Sequence, residues 1–272
     1  MPLTHYACAN CGFWQLYFAV PPDCPVCTDV RNDLPEDGWR FLPEVEVATT
    51  HSGGFRQAAA DLWAFTTTPN LGLAGTGWLI VRDGGNIAFE AAPYYSADML
   101  EQLRTLGDIR FLAASHAHGY GALFQLQREF APELLAIHRD DLPMTKAFRV
   151  TAPYDDQLEL APGYMLHHVG GHYAGQAALH DSVAGRLFCG DMFKIDQDAA
   201  GVSRAVSSHK AFHKDIPLTH AEIGRYREVI APLEFSAVLT PFEYAPEVGR
   251  DVALSVLDEA LGRPPSVKRI TL

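Results

Sequence analysis

The 272-residue chain is 48% hydrophobic and 20% charged, which supports a full core and leaves no segment disordered on composition. Its 21 basic and 33 acidic residues give a net charge of −12, which argues against a nucleic-acid backbone binder, a class that needs a basic face. No apolar run reaches the length of a membrane span, and the opening MPLTHYACANCG has no signal-like stretch, so a cytoplasmic protein is expected.

Four of the five cysteines come first: Cys8, Cys11, Cys24 and Cys27, in the pattern C-x2-C-x12-C-x2-C. Each C-x-x-C turns two thiolates toward one point, and two such knuckles complete a four-sulfur site. Gly12 suits a tight knuckle, Pro25 stiffens the second, and FWQLYFAV between them reads as a strand or hairpin. Structural zinc is the favoured occupant. Iron and disulfides are the alternatives, and a reducing compartment argues against the latter. The segment is similar to a zinc ribbon or a rubredoxin-like knuckle pair. A module this small lacks a sufficient core, so the metal would fold it. The expected organisation is a ribbon over residues 1–35, a linker over 36–48 rich in Pro, Asp and Glu, and one larger domain over 49–272.

In the larger domain, TGWLIVR (76–82) and NIAFEA (86–91) are apolar runs joined by Asp83-Gly84-Gly85, a hairpin signal. The glycine-rich NLGLAGTG (70–77) lacks the Lys and Ser/Thr of a phosphate-binding loop and reads as a plain loop. Ser96 opens a helix carrying Met99, Leu103 and Leu106, and Gly107 ends it. RFLAAS (110–115) is a buried strand running into His116. Leu123, Leu126 and Phe130 are helically spaced, and LLAIH (134–138) is again a strand. YMLHHV, QAALHD and RLFCGD are three more strands. Thr219-His220-Ala221-Glu222 is a capping box opening a helix with Ile223, Tyr226 and Ile230 on one face. SAVLT (236–240) is a last strand, and a final helix runs from Pro246 to about Leu261.

His116 and His118 end a strand in SHAHGYGAL. Residues i and i+2 of a strand point the same way, so both imidazoles can aim at one metal. His172 follows another strand in VGGHYAGQ, where two glycines allow close backbone approach. Asp191 ends a third in FCGDMF. Ligands at the ends of separate strands converge on a site through a rigid scaffold. His51, His138, His167, His168 and His180 read as structural, and Cys189 as a small core residue. His209, His213 and His220 lie in a polar stretch, SSHKAFHKDIPLTH, that reads as a solvated loop; one of them entering the site as a ligand is the alternative.

The order of these pieces resembles the metallo-β-lactamase superfamily. HAHGYG (116–121) occupies the position of that family's H-x-H-x-D-H motif. Gly171-His172-Tyr173-Ala174-Gly175 is similar to its G-H-x-x-G, and Gly190-Asp191 to its strand-end G-D. The resemblance covers about residues 50–245. It implies an α+β fold, a four-layer αββα sandwich, with the small ribbon added in front. It further implies that His116, His118 and His172 form a first metal site and that Asp191 is the bridging carboxylate. The second site departs from the pattern. Tyr120 and Gly121 stand where the family has Asp and His, and Phe242, beside Glu243, stands where a final His is usual. Glu90 replaces an Asp that supports the site from behind.

Three histidines with an open position compose a catalytic zinc, whose bound water has a pKa of roughly 7. The expected function is a zinc-dependent hydrolase acting on an ester, thioester, lactone or related bond of a small molecule. Asp191 or Glu243 would replace the missing base. Tyr120 would donate to a substrate oxygen. The alternative is a non-hydrolytic binding or regulatory protein of the same fold, with the ribbon mediating a homo-oligomer or a protein partner. Redox chemistry is disfavoured, because the resemblance's di-iron members carry H-x-E-x-D and Ala117 to Tyr120 supply no carboxylate.

Overall fold

The cysteine knuckles are built on a small sheet. β1 (Thr4–Cys8) pairs antiparallel with β2 (Trp14–Tyr17) and with β3 (Phe41–Pro43), in the order β2-β1-β3. The short α1 (Glu44–Thr50) follows directly. β3 and the start of α1 therefore occupy the end of the stretch expected as a linker. The structure, a computed structural model, describes residues 2–29, 31, 35–208, 218–264 and 269–271. It divides into two units: Met1–Ile137 with Asp141–Pro153, and His138–Asp140 with Tyr154–Leu272.

The first unit continues through β4 (Ser52–Ala59), β5 (Leu62–Thr68), β6 (Gly77–Ile80), β7 (Asn86–Phe89), α2 (Ala97–Thr105), β8 (Ile109–Ala113), α3 (Leu123–Phe130), β9 (Leu134–His138) and β10 (Ala152–Tyr154). These strands form a sheet ordered β10-β9-β8-β7-β6-β5-β4. β7, β8 and β9 are parallel, and β4 to β7 are antiparallel neighbours. The apolar runs at Gly77–Ile80 and Asn86–Phe89 are buried at every residue, as central strands covered on both faces require. Edge strand β4 is largely exposed, and its mixed SGGFRQAA carries no strong strand signal, so it had no counterpart among the expected elements. The α2 stripe buries Met99 and Leu103, each fully buried side chain contributing about 1.5–3 kcal/mol.

The second unit holds β11 (Gln157–Ala161), β12 (Tyr164–His168), β13 (Ala177–Asp181), β14 (Arg186–Phe188), β15 (Phe193–Gln197), β16 (Ser203–Ser208), α4 (His220–Ile230), β17 (Ala237–Leu239), β18 (Tyr244–Ala245), α5 (Arg250–Leu261) and β19 (Arg269–Thr271). One sheet runs β11-β12-β13-β14-β17-β18, and a smaller one β15-β16-β19. The capping box is formed as its sequence dictates: Thr219 Oγ1 accepts from the Glu222 N–H, and Glu222 Oε2 accepts from the Thr219 N–H at 2.6 Å. α4 then buries Ile223, Tyr226 and Ile230 in a core shared with Val169, Leu187, Phe193, Val238 and Leu257. The β13–β14 hairpin encloses an ion pair, Arg186 to Asp181, with both side chains almost fully buried. Among the described residues no helix is long and apolar enough to cross a membrane.

Candidate metal centres

All four ribbon thiols meet. The Sγ atoms of Cys8, Cys11, Cys24 and Cys27 lie within 4.8 Å of one another, and none is in a disulfide. Cys11 to Cys24 is 3.6 Å and Cys8 to Cys27 is 3.9 Å. A metal–sulfur bond of about 2.3 Å gives a tetrahedron with edges of about 3.8 Å, whereas a disulfide would close to about 2.05 Å. The set therefore fits a four-coordinate metal. Asn10 Nδ2 donates to Cys27 Sγ at 3.3 Å, the kind of bond that steadies a coordinating thiolate. The knuckle needs its glycine: Gly12 has φ +81°, and the loop at Leu71-Gly72 packs so closely on it that a Cβ on Gly72 would collide with the Gly12 backbone.

Of the four other candidate ligands, His116 and His118 lie in the first unit and His172 and Asp191 in the second. In the first unit, β8 ends at Ala113, and His116 enters a single 3-10 turn over Ala117–Gly119. Behind it lies a buried relay. Ser115 Oγ is bonded to Glu90 Oε1, and the Ser115 N–H donates to Glu90 Oε2 at 3.2 Å. Ser115 Oγ also lies 2.8 Å from His116 Nδ1. The hydroxyl has one proton. Given to the Glu90 carboxylate, it leaves Oγ to accept from the His116 Nδ1–H. The ring lone pair is then on Nε2, the tautomer that a ligand needs. Glu90 is itself held at φ +60°, a left-handed conformation that costs a non-glycine residue of order 1 kcal/mol or more.

The two glycines of this turn are demanded by its surroundings. A Cβ on Gly119 would collide with the Glu90 carboxylate. Gly121 has φ +38°, and a Cβ there would collide with the carbonyl oxygens of Ala91 and Ala92. The position that resembles a second-metal histidine is thus closed to any side chain by backbone. Between them Tyr120 is buried; its ring meets Phe148 edge-on at 5.4 Å, and its hydroxyl donates to Asp141 Oδ2 at a long 3.5 Å.

In the second unit, Gly170 (φ +66°) and Gly171 (φ +81°) turn the chain after β12 into His172. The His172 N–H donates to Tyr226 Oη at 3.0 Å, and a Cβ on Gly171 would collide with that hydroxyl. Burial pushes the Tyr226 hydroxyl well above its usual pKa, so it stays protonated. His172 Nε2 lies 3.2 Å from Asp191 Oδ2, both side chains nearly inaccessible. Asp191 sits in the tight turn Gly190–Met192 after β14. Glu243 is half-buried; its carboxylate bonds to the Thr240 hydroxyl, whose Oγ1 also accepts from the Phe242 and Glu243 N–H groups. Burial pushes Glu243 up to about 6, the Thr240 bond opposes this, and the Asp191 charge adds to it. Phe242 points outward, 43% exposed.

A third close group, His138, Asp140 and His168, lies in the second unit. The two rings stack face to face at 3.7 Å, which holds their in-plane lone pairs in two nearly parallel planes rather than aimed at a common ion. His168 has both nitrogens engaged, Nδ1 by Arg225 at 2.9 Å and Nε2 by the Ala174 carbonyl at 2.7 Å. His220 Nε2 bonds to the Arg263 carbonyl at 2.6 Å. His209 and His213 lie outside the described residues. The sequence singles out His116, His118, His172 and Asp191 but assigns no role at the site to Ser115, Gly119 or Tyr226. A hydroxyl next to a candidate ligand was a signal for Ser115. Nothing local pointed to Tyr226, which is brought in by the capped helix.

No protein-family model matches the chain. A curated relative, the uncharacterized protein YmaE of Bacillus subtilis, is 26% identical over 254 residues, covering 88% of this chain and 89% of that protein. Solved structures with a similar fold include the metallo-β-lactamase DIM-1 exposed to ceftazidime, with TM-score 0.56, 9% identity, and 77% of this chain and 98% of that one covered. A metallo-β-lactamase from Hirschia baltica gives TM-score 0.54, 15% identity, and 78% and 99% coverage. FIM-1 from Pseudomonas aeruginosa, in a mono-zinc form, gives TM-score 0.54, 14% identity, and 77% and 96% coverage. The aligned span is longer than either unit, so the metallo-β-lactamase fold expected from the sequence is borne out across the larger part of the chain.

Proposed function

We propose that the chain is a metal-dependent hydrolase, with one divalent ion, zinc in the first instance, held by His116, His118 and His172 with Asp191 beside them, and a structural zinc in the ribbon. The observation that carries this reading is the Glu90–Ser115–His116 relay, which commits a buried imidazole to the ligand tautomer. A metal bound there would polarise a scissile carbonyl and lower the pKa of water. The chain's residues supply the rest. Asp191 lies beside His172 and adds the negative charge that makes the set attractive to a divalent cation. Glu243, at about 6 and anchored by Thr240, is the base we assign to accept a proton at neutral pH. The hydrogen bond from Tyr120 to a substrate oxygen stays a separate proposal, tested by Tyr120→Phe. The mono-zinc form of a structural neighbour supports a one-ion site on this fold. The closure of position 121 points the same way.

The substrate class proposed is an ester, thioester, lactone or similar carbonyl compound. Elemental analysis and a panel of such substrates test the reading together. Two zincs per chain are expected, one lost in His116→Ala and a different one in Cys8→Ser. Turnover should vanish in His116→Ala and kcat should fall in Glu243→Gln. One zinc per chain, untouched by His116→Ala, would defeat the hydrolase. The alternative, a non-hydrolytic binding protein, is favoured by Tyr120 and Gly121 at the positions where the resemblance places Asp and His. It would show as a chain that turns over no member of the panel, its histidine site a relic or a metal-free pocket.

A further inference from the structure

The segment from His116 to Gly121 is poorly suited to holding its own shape. It is a single 3-10 turn with no side-chain cap, with glycine at its last residue, Gly119, and again at Gly121. Its order comes from two flanking segments. Upstream, the Ala91 N–H donates to the Gly119 carbonyl at 2.9 Å, and the Ala92 carbonyl accepts from the Ala122 N–H at 2.9 Å. Downstream, α3 begins at Leu123 and presents Phe124 in its first turn.

One ribbon residue touches both. Trp14 is buried, immediately after the Cys8–Cys11 knuckle. Its indole N–H donates to the Pro93 carbonyl at 2.7 Å, next to the Ala91–Ala92 hook. Its ring lies 5.0 Å from that of Phe124. His5, also in the ribbon sheet, stacks on Phe124 as well, 3.9 Å away and nearly parallel. The knuckle in turn fixes Trp14, through Cys8 N–H to Phe13 O and Gly12 N–H to Cys8 O, both at 2.8 Å. All of these residues belong to the first unit.

We infer that Trp14 is a positioning residue for the His116–His118 turn, clamping its two flanks so that the ribbon, once folded on its own metal, sets the order of the histidine ligands. The inference rests on reading His116 and His118 as ligands. It gives the ribbon a task in the chemistry although its four sulfurs leave no open position. Ordering a free glycine-rich turn is unfavourable, and a pre-ordered ligand pair binds its ion more tightly.

The test uses the full chain and Trp14→Phe, which keeps a ring against Phe124 and removes the N–H donor together with part of the indole's volume. Hydrogen exchange at the Gly119 and Ala122 amides should accelerate about fivefold, the scale of one lost hydrogen bond, while Leu79 and Ile87 in the central strands stay unchanged. Zinc titrated into protein that keeps its ribbon metal should bind the histidine set about tenfold more weakly. Phe124→Leu, which removes the ring contact and leaves Trp14 intact, should act in the same direction. Phe18→Ser, on an exposed ribbon residue, should change neither readout. Unchanged exchange at Gly119 and Ala122 in both variants would overturn the inference, and so would an acceleration spread evenly over the unit. Wild-type protein that takes up no zinc at the histidines would sink the functional reading alone, because the exchange arm still decides this one.

Discussion

The cysteine cluster and the His116–His118 turn sit in the same unit, and they are specified in opposite ways. The cysteines carry their geometry in their spacing: two knuckles, a glycine with positive φ, and four sulfurs at the edge lengths of a tetrahedron. The histidine turn carries almost none of its own. Its shape is imposed by Glu90, Ser115, Ala91, Ala92 and Trp14, residues that are 1 to 102 positions away in the chain. A closed structural site can be written locally. The histidine turn borrows its rigidity from neighbours.

That contrast can be broken most forcefully at the ribbon. Cys8→Ser should release the ribbon metal and unfold the small sheet, because metal binding and folding are one event in such modules. Loss of a cooperative unit should lower the thermal midpoint by about 10 °C or more, measured by calorimetry with and without added zinc. A wild-type melting curve would mean that the ribbon folds on its apolar contacts alone.

Gly121→His comes next. The substitution restores the residue type that the resemblance places there, and a reading based on ligand lists alone would foresee a second metal. The φ of +38° and the Ala91 and Ala92 carbonyls instead predict destabilisation of about 3 kcal/mol and no added ion. Urea unfolding and metal counts on the same sample decide between the two outcomes.

Milder is Ser115→Ala. It cuts the relay between Glu90 and His116 without touching a ligand, and should weaken zinc at the histidine set by about 10- to 100-fold while the ribbon keeps its metal. Equal affinity would show that the His116 tautomer needs no help from behind.

The smallest effects concern pH, and they separate the two units. His167, in the second, is held neutral by burial, with the neighbouring His180 adding to it, at about 4 against a usual 6.5. The unfolded chain binds the extra proton first, so this contribution falls as pH drops below about 6.5 and is exhausted below about 4. Glu44, in the first, is lowered to about 2 by its bond to His5 and by Arg128. Its contribution is present above the usual 4.5 and is lost as pH falls toward about 2. Urea midpoints from pH 7.5 to 3 should show His167→Gln flattening the upper window and Glu44→Gln the lower one.

Much of this was legible in the sequence because the relevant rules are local. The G-G-H turn and the capping box act over a few residues, and each stands where its pattern put it; the H-x-H follows its strand but lies in a 3-10 turn, so strand alternation does not set its geometry. The early hairpin and the buried strands followed from unbroken apolar runs. What stayed hidden is long-range. Tyr226 looked like one more apolar position of a helix until the fold brought its hydroxyl to the His172 backbone. Trp14 looked like a strand aromatic in a small module. Strand β4 was illegible because an exposed edge asks little of its side chains. The β15–β16 hairpin was masked by the polar residues around Asp198, which bonds Arg204 and the turn backbone.

The packing of Gly119 against Glu90 has a consequence for descent. The long carboxylate fills the volume into which a side chain at 119 would grow, so the two positions are not free to drift separately. A lineage that shortens residue 90 to aspartate opens room at 119, and one that keeps glutamate confines 119 to glycine. Aligned relatives of this chain should therefore divide into two haplotypes at these positions, and mixed ancestors should be rare.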